Sequence, residues 1–412
     1  MALDPEQFRQ KRIARQQQRQ AAQKKLYIRL LLAGLILIAC TVAVVLIIRP
    51  AEKPATPAET KPTTAQPQAA PSEEVTTIRI AAVGDVNITQ RVVDSGITTQ
   101  DYSDMLLDVS HLLADPHLTL MNWEGVVSGP PYGDSRSAPQ ALLQAFKESG
   151  VDGVQLANSY TIHNGLSSLA ATISAVEETN LYPLGAYKNT GRAKPYTILD
   201  VQGVKVAVVA FTKGTVGMGM LSRGNYGTNI LYSDYDTTYQ KVDKARIDQI
   251  LSAIRNDKPD VTIALVHWGS EFNDNISKSQ EQIKNLLLAG GVNAIIGTHS
   301  HYVQKMELNQ NGQFVAYSLG DFLGDGSRAG SEYSLILNLT VEKNNKTGAT
   351  KITGFDYTPT FIVNEEGRPL RVMRLSQAIA AYEAGQLGRV NETTYNAMKY
   401  ALTRVEARVA GK

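Results

Sequence analysis

Imidazole and carboxylate side chains occur in this sequence at a spacing that suits a metal ion. His299 and His301 are separated by one residue. In an extended segment, residues two apart point to the same face, so both rings could reach one cation. His267 follows another apolar segment, and Asp85 and Glu124 add carboxylates. Because imidazole combined with carboxylate suits Mn, Fe or Zn better than Cu(I), these residues predict a divalent-metal site.

The alternative interpretation of the histidines is structural. His267 and His301 precede the aromatic residues Trp268 and Tyr302, so they could be core histidines with satisfied polar atoms. The single cysteine of the chain excludes both a disulfide framework and a zinc cage of thiolates. A metal in this protein must therefore bind to His, Asp, Glu or Asn.

The elements that would position these side chains are strands alternating with amphipathic helices. Ile247, Ile250, Leu251 and Ile254 illustrate the helical spacing of apolar residues. This alternation predicts an α/β domain with a largely parallel central sheet. In such sheets ligands bind beyond the carboxyl ends of the strands, and the polar motifs stand at those ends. The predicted strands cover residues 77–83, 118–121, 153–157, 204–211, 261–266, 294–296, 315–319, 334–341 and 351–357.

The composition is that of a folded protein without an obvious nucleic-acid partner. Of the 412 residues, 43% are hydrophobic and 19% are charged, which excludes disorder over the whole length. The net charge of +2 is too small to indicate nucleic-acid binding.

The amino-terminal part predicts a single-pass membrane anchor. Residues 1–29 are basic and rich in Gln, and residues 30–48 carry no charged side chain. A helix over 30–48 would be about 28 Å long, close to the roughly 30 Å hydrocarbon core of a bilayer. Since basic segments stay in the cytoplasm, residues 1–29 would form a cytoplasmic arm at the cell membrane, with the main domain extracellular.

Two other interpretations of residues 30–48 are open. A cleaved signal peptide normally has an apolar region of only roughly 7–15 residues. The segment Leu37-Ile38-Ala39-Cys40 resembles a lipoprotein signal, but apolar residues continue beyond Cys40. The uncleaved anchor is therefore favoured. Beyond it, residues 49–76 are rich in Pro and predict an extended extracellular linker, residues 77–365 a folded domain, and residues 366–412 a helical tail.

The polar motifs occur in an order that resembles the CapA family of poly-γ-glutamate capsule synthesis proteins, within the calcineurin-like metallophosphatase superfamily. The resemblance runs from about residue 78 to residue 322. It implies a four-layer α/β/β/α sandwich around a site for one or two metal ions. The motifs are Gly84-Asp85, Asn122-Trp123-Glu124, Leu156-Ala157-Asn158, His267-Trp268-Gly269-Ser270-Glu271, Ile296-Gly297-Thr298-His299-Ser300-His301 and Ser318-Leu319-Gly320-Asp321-Phe322.

The resemblance also implies roles for individual residues. A site of this kind lowers the pKa of a bound water and polarises a phosphoryl or acyl oxygen. Glu271 stands where the family also carries Glu, which makes it a candidate for catalysis. The implied metal ligands are Asp85, Glu124, Asn158, His267, His299 and His301.

This chain departs from the family pattern after the third predicted strand. The family usually has Asn-Asn-His-x-x-Asp there, whereas this chain has Ser159, Tyr160 and His163 at the second, third and last of those positions. A phenol with a pKa of about 10 is a poorer acid–base group near neutral pH than imidazole. Tyr160 and His163 remain candidates for catalysis, but the sequence predicts weak phosphatase activity. Asp321, in place of a family Asn, adds a carboxylate that could compensate for the lost amide.

Three hypotheses for function follow. The first is a protein that assists synthesis or export of an anionic polymer, poly-γ-glutamate by resemblance, with a membrane synthetase or export complex as partner. The second is a metal-dependent hydrolase of phosphoesters or of a cell-surface polymer. The third is a binding module that has kept the fold without metal chemistry. The sequence contains no indication of the oligomeric state.

Overall fold

The computed structural model describes residues 74–160, 164–188, 194–214, 227–365, 367–387 and 390–412. The predicted cytoplasmic arm, the predicted anchor and nearly all of the predicted linker lie outside the described residues, as does His163. Within the described ranges, no helix combines the length and the apolar character needed to cross a membrane.

The described residues form two mixed β-sheets. The strands are β1 (Val75–Asn87), β2 (Leu118–Glu124), β3 (Gly153–Gln155), β4 (Tyr182–Leu184), β5 (Ala186–Tyr187), β6 (Thr197–Val201), β7 (Val204–Thr212), β8 (Gly227–Ile230), β9 (Val261–His267), β10 (Ala294–Thr298), β11 (Met306–Leu308), β12 (Phe314–Ala316), β13 (Asp321–Leu323), β14 (Tyr333–Asn344), β15 (Thr350–Val363) and β16 (Arg371–Arg374). The first sheet has the order β16-β15-β14-β1-β2-β3-β4, with β13 also paired to β1. The second has the order β11-β12-β10-β9-β7-β8-β5, with β6 also paired to β7.

Each sheet contains a run of parallel strands, as the alternation of strands and helices predicted. In the first sheet β1, β2, β3 and β4 are parallel neighbours, and in the second β7, β9, β10 and β12 are. The first sheet is mixed, because β1 pairs antiparallel with β14, and β15 and β16 extend the sheet through further antiparallel pairs. Carboxyl ends of the parallel strands therefore meet along one edge of each sheet.

Helices of the described ranges lie against the sheets through apolar faces. Helix α5 buries the Ile247, Ile250, Leu251 and Ile254 face that the sequence predicted, and the Asp243 side chain caps its first turn. The helices are α1 (Gln90–Asp94), α2 (Ser110–Ala114), α3 (Gln140–Glu148), α4 (Gly165–Glu178), α5 (Lys244–Asp257), α6 (Lys278–Ala289), α7 (Leu375–Glu383) and α8 (Glu392–Val409).

Alternating residues of the central strands separate three apolar cores. Ile80 of β1 and Val208 of β7 belong to one core, which lies between the two sheets. The next residue of each strand points the other way, as period two requires. Ala81 faces a core shared with α3 and α4, and Val209 faces a core shared with α5 and α6. The layers are therefore helix, sheet, sheet and helix.

Each predicted strand overlaps an observed one, but several bounds differ. Strand β1 continues to Asn87 and β2 to Glu124, so the polar ends predicted to follow these strands are part of them. The short strands β4, β5, β6, β8, β11 and β13 were not predicted, because segments of so few residues carry little periodicity. Within 366–412, β16 precedes the helices α7 and α8.

Candidate metal centre

Neighbouring strand ends place the predicted ligands side by side. In the first sheet the β1–β2 register puts Asp85 opposite Asn122, and Glu124 ends β2. Strand β13 pairs with β1 so that Asp321 lies opposite Asp85. In the second sheet His267 ends β9 beside Thr298, the last residue of β10. Residues that are distant in sequence thus converge where the strand ends of the two sheets meet.

Two groups of potential ligand atoms result, and together we call them the metal centre. In the glutamate group, ligand atoms of Glu124, His267 and His299 all lie within 4.8 Å of one another. All three residues are buried. Glu124 Oε1 lies 3.3 Å from His267 Nδ1, and the two imidazole ring centroids are 4.3 Å apart. This group combines one carboxylate with two imidazoles.

The aspartate group consists of Asp85, His301 and Asp321, whose ligand atoms also lie within 4.8 Å of one another. His301 Nδ1 is 2.7 Å from Asp321 Oδ1 and 3.8 Å from Asp85 Oδ2. The backbone N–H of His299 donates to Asp85 Oδ2 at 3.1 Å, which ties this group to the glutamate group. The compensating carboxylate proposed for Asp321 therefore lies within the centre.

The expectation that His299 and His301 share one face was wrong. The segment is not extended, since both residues have left-handed backbone conformations, with φ of 92° and 59°. Their ring centroids lie 6.2 Å apart, and each histidine belongs to a different group. This conformation is energetically unfavourable for a non-glycine residue, so contacts with the surrounding structure must stabilise it.

Burial sets the protonation states in the glutamate group. It raises the pKa of Glu124 well above its ordinary value, because a buried carboxylate loses its hydration. Burial lowers the pKa of His267 and of His299 far below the ordinary value, and nearby Lys213 lowers both further. The two imidazoles are therefore neutral at physiological pH and have a lone pair available for a cation.

The aspartate group behaves differently because its charges are opposed. Burial raises the pKa of Asp85 to about 7, although the positive charge of His301 opposes this. Burial alone would lower the pKa of His301, but the carboxylates of Asp321, Glu124 and Asp85 raise it to about 10. Without a metal, His301 is thus a buried imidazolium paired with Asp321.

These residues fit a divalent cation. Glu124 Oε2 is buried and accepts no hydrogen bond from any described residue. An unpartnered carboxylate oxygen in the interior is costly, and a bound cation would remove that cost. Neutral imidazoles with carboxylates are also the donor set that Mn, Fe and Zn accept. Two groups of three ligands are compatible with one ion or two.

Two asparagines connect the carboxylates to the strands behind them. Asn122 Nδ2 donates to Asp85 Oδ1 at 2.7 Å and to Glu124 Oε1 at 3.2 Å. Asn158, a predicted ligand, donates to Asn122 Oδ1 at 3.1 Å, and its own Oδ1 accepts from the Tyr160 N–H at 3.0 Å. The structure therefore links Asn158 to Asp85 and Glu124 through Asn122, and the role of Asn158 as a metal ligand stays a prediction.

Two of the departures from the family pattern, Ser159 and Tyr160, lie beside the centre. Ser159 Oγ is 3.1 Å from His267 Nε2. Burial raises the pKa of Tyr160, so its hydroxyl keeps its proton. Glu271 is exposed, and its carboxylate acts on Lys213 and Tyr160 only through charge. Of the three predicted catalytic residues, Tyr160 is hydrogen-bonded to Asn158 through its backbone N–H, Glu271 is exposed, and His163 lies outside the described residues.

Two basic residues near the centre were not predicted. Lys213 Nζ lies 2.8 Å from His299 Nε2 and donates to the Gly269 carbonyl at 3.2 Å. It directly follows β7, so the rule that found the other strand-end residues could have found it. Arg136 Nη2 donates to the Tyr160 hydroxyl at 3.3 Å. Arg136 lies in a loop between β2 and α3, where the sequence carries no comparable signal.

Comparison with known proteins identifies the family. Residues 79–326, more than half of the chain, match the family described as bacterial capsule synthesis protein PGA_cap. The chain therefore belongs to this family, which confirms the resemblance to CapA proteins.

Two relatives of this chain are named as capsule or PGA biosynthesis proteins. Capsule biosynthesis protein CapA of Bacillus anthracis is 28% identical over 189 residues, which are 46% of this chain and 44% of that protein. PGA biosynthesis protein CapA of Bacillus subtilis (strain 168) is 24% identical over 215 residues, 52% of this chain and 53% of that protein. The match spans about half the length of both relatives.

A solved structure of calcineurin-like phosphoesterase YfkN from Bacillus subtilis aligns with 79% of this chain and 100% of that chain. The sequence identity is 15% and the TM-score is 0.42.

Proposed function

We propose that this protein assists the synthesis or export of an anionic cell-surface polymer and uses a divalent-metal centre to do so. The observation that carries the proposal is the convergence of six buried imidazoles and carboxylates, from four strands and the segment after β10, into two adjacent ligand groups. Membership of the capsule synthesis family and the names of its relatives support poly-γ-glutamate as the polymer. A membrane synthetase or export complex is the proposed partner.

The two ligand groups would hold the metal in different ways. Glu124, His267 and His299 would bind through neutral imidazoles and one carboxylate, whereas Asp85 and Asp321 bring negative charge and His301 must first lose its proton. A divalent cation, with Mn, Fe and Zn as the candidates, supplies a bound water of lowered pKa and polarises a phosphoryl or acyl oxygen. The Asn122 amide donates hydrogen bonds to Asp85 and Glu124, which keeps these two carboxylates oriented toward the centre.

The proposed location is the outer face of the cell membrane. The uncharged segment 30–48 would be the anchor, and the basic residues 1–29 would remain in the cytoplasm. The Pro-rich residues 49–76 would then hold the folded domain away from the membrane surface. Protease treatment of intact cells tests this topology, because an extracellular domain is digested and a cytoplasmic one is protected.

Metal analysis of the 412-residue chain, purified in detergent, tests the central claim. We expect one or two equivalents of Mn²⁺ or Zn²⁺ per chain and a higher melting temperature in their presence, because the metal binds the folded state. His299→Ala should lose at least one equivalent. His111→Ala, which changes an exposed histidine of α2, is the matched control and should behave as wild type. A chain without stoichiometric metal and without a thermal shift would favour the metal-free binding module instead.

A second candidate function is metal-dependent hydrolysis of a phosphoester or of the polymer itself. It is favoured by the composition of the centre, where carboxylates and neutral imidazoles lie beside the hydroxyl group of Ser159, the residue that precedes Tyr160. The Tyr160 phenol is the weak point of this candidate, since it keeps its proton near neutral pH.

Tyr160→His tests the second candidate. We expect slow turnover of a generic phosphodiester by the metal-loaded wild type, and an increase of about 10-fold or more in the variant, because imidazole can protonate a leaving group near pH 7. Steady-state kinetics with Tyr160→Phe as control separates the gained imidazole from the lost hydroxyl. Brisk turnover by the wild type would contradict the role assigned to Tyr160.

A further inference from the structure

The loop between β2 and α3 holds one arginine rigidly beside the metal centre. The Val126 N–H donates to the Arg136 carbonyl at 2.8 Å, and the Ala138 N–H donates back to the Val126 carbonyl at 2.9 Å. The Arg136 N–H in turn donates to the Gly133 carbonyl at 2.7 Å. These bonds hold Arg136 at a φ of 63°, a conformation that a non-glycine residue rarely adopts.

Part of the Arg136 guanidinium is fixed by hydrogen bonds. Nη1 donates to Asn87 Oδ1 at 3.1 Å and to the Ile88 carbonyl at 3.2 Å. Nη2 donates to the Tyr160 hydroxyl at 3.3 Å, and Arg136 Cζ lies 4.2 Å from the centroid of that ring. The side chain is therefore oriented before any ligand arrives, which lowers the entropy cost of binding.

The opposite edge of the guanidinium remains available. Arginine has five N–H donors, and the contacts above use three of them. Within the described residues, neither the Nε–H nor the second Nη2–H donates to an acceptor, and no carboxylate forms a salt bridge with Arg136. These two N–H groups form the edge that binds a carboxylate or a phosphate through two parallel hydrogen bonds.

The neighbours of Arg136 connect it to both ligand groups. Asn87 Nδ2 lies 3.2 Å from His301 Nδ1 and 3.4 Å from Asp321 Oδ2, in the aspartate group. On the other side, Tyr160 follows Ser159, whose hydroxyl contacts His267 of the glutamate group. Arg136 is therefore linked to the aspartate group through Asn87 and, through Tyr160 and Ser159, to the glutamate group.

We propose that the free edge of Arg136, together with Tyr160, forms an oxyanion subsite that binds a carboxylate or phosphate of the substrate beside the metal centre. This inference rests on the proposed function, because it assigns the charged group of an anionic substrate to a particular side chain. It makes Arg136 a residue for substrate binding rather than a metal ligand.

Isothermal titration of the 412-residue chain in detergent and Mn²⁺ tests the subsite. The probes are a γ-linked glutamate oligomer, which offers carboxylates, and inorganic phosphate. Arg136→Gln should weaken binding of at least one probe about 10- to 100-fold, because a charge-assisted bidentate contact is lost. The affinity of Arg136→Lys should lie between those of the wild type and Arg136→Gln, because lysine keeps the charge but lacks the two parallel N–H donors of the guanidinium. Arg246→Gln, which changes an exposed arginine of α5, should bind as wild type.

The outcomes separate this inference from the proposed function. A loss confined to the glutamate oligomer assigns a carboxylate to the subsite, and a loss confined to phosphate assigns a phosphate. Equal affinities of wild type and Arg136→Gln for both probes, or no binding of either probe to the wild type, would overturn the subsite even if Mn²⁺ binds normally. If Mn²⁺ does not bind, the proposed function fails, and Arg136-dependent anion binding in metal-free buffer would still support the subsite.

Discussion

Burial and charge at single residues give the two ligand groups different proton requirements. In the glutamate group, His267 and His299 are neutral because burial depresses their pKa. In the aspartate group, burial raises the pKa of Asp85 to about 7, and the surrounding carboxylates raise the pKa of His301 to about 10. A cation that binds the aspartate group must therefore displace protons from Asp85 and His301, whereas in the glutamate group only Glu124, whose pKa burial also raises, competes for a proton.

We expect the affinity for Mn²⁺ to rise as the pH increases from about 5.5 to 8. Below pH 7 the proton on Asp85 competes with the cation, and His301 adds a second proton to be released. The raised pKa of Asp85 also affects the stability of the metal-free protein. Between pH 3.8, the ordinary pKa of Asp, and about pH 7, this carboxyl ionises in the unfolded chain but keeps its proton in the folded protein. The free energy of unfolding therefore falls as the pH rises through this range.

Titration calorimetry in buffers of different ionisation enthalpy measures the number of protons released. Asp85→Asn is the informative variant, because it removes the competing proton together with a ligand. An affinity that does not change between pH 6 and pH 8, with no proton release, would contradict the assignment of Asp85 and His301 as ligands.

At the scale of secondary structure, the close approach of β1 to β13 forms the aspartate group. The Asp85 N–H donates to the Gly320 carbonyl at 2.9 Å, and Asp85 lies opposite Asp321. A Cβ atom at Gly84 would lie only 1.9 Å from the Gly320 carbonyl oxygen, so glycine is needed for this contact.

Gly84→Ala should therefore damage both stability and metal binding. Because the clash is with backbone, the strands must separate, which we expect to cost about 1–3 kcal/mol in the free energy of unfolding. The displaced Asp85 and Asp321 should weaken Mn²⁺ binding as well. Urea denaturation and titration calorimetry measure the two effects.

Gly354→Ala is the matched control for this change. Gly354 also lies in a strand, β15, but a Cβ atom there would meet open space. Its effect on unfolding should stay within about 0.5 kcal/mol. Wild-type metal affinity in Gly84→Ala would show that the approach of β1 to β13 does not govern the centre.

At the scale of the whole molecule, the carboxyl-terminal helices complete the core between the sheets. Met398, Ala401 and Val405 of α8 and Leu375 of α7 are buried in the same core as the inner faces of β1 and β7. The tail is therefore part of the folded unit that supports the strands, although none of the centre's ligands comes from it.

Met398→Ala should lower global stability without changing the metal stoichiometry. Met398 is fully buried, and removing a buried side chain of this size costs about 2–5 kcal/mol through lost contacts and a residual cavity. Tyr400→Ala, at a side chain that is 60% exposed on the same helix, is the control and should have little effect. Thermal unfolding and metal analysis provide the readouts. An unchanged melting temperature in Met398→Ala would show that α8 is dispensable for the core.

The sequence by itself determined the type of fold and most of the residues at the centre. Asp85, Glu124, His267 and His299 were predictable because parallel strands bring their carboxyl ends to one edge, whatever the loops between them do. The alternation of strands and helices likewise predicted the runs of parallel strands in both sheets.

Only the tertiary structure decided how those residues are divided and what surrounds them. The left-handed backbone that sends His299 and His301 to different groups depends on contacts such as the hydrogen bond from His299 to Asp85, which local sequence does not encode. Arg136 was not predictable either, because its position depends on bonds between a loop and β1. Local residue patterns record periodicity along the chain, whereas these arrangements arise from long-range packing.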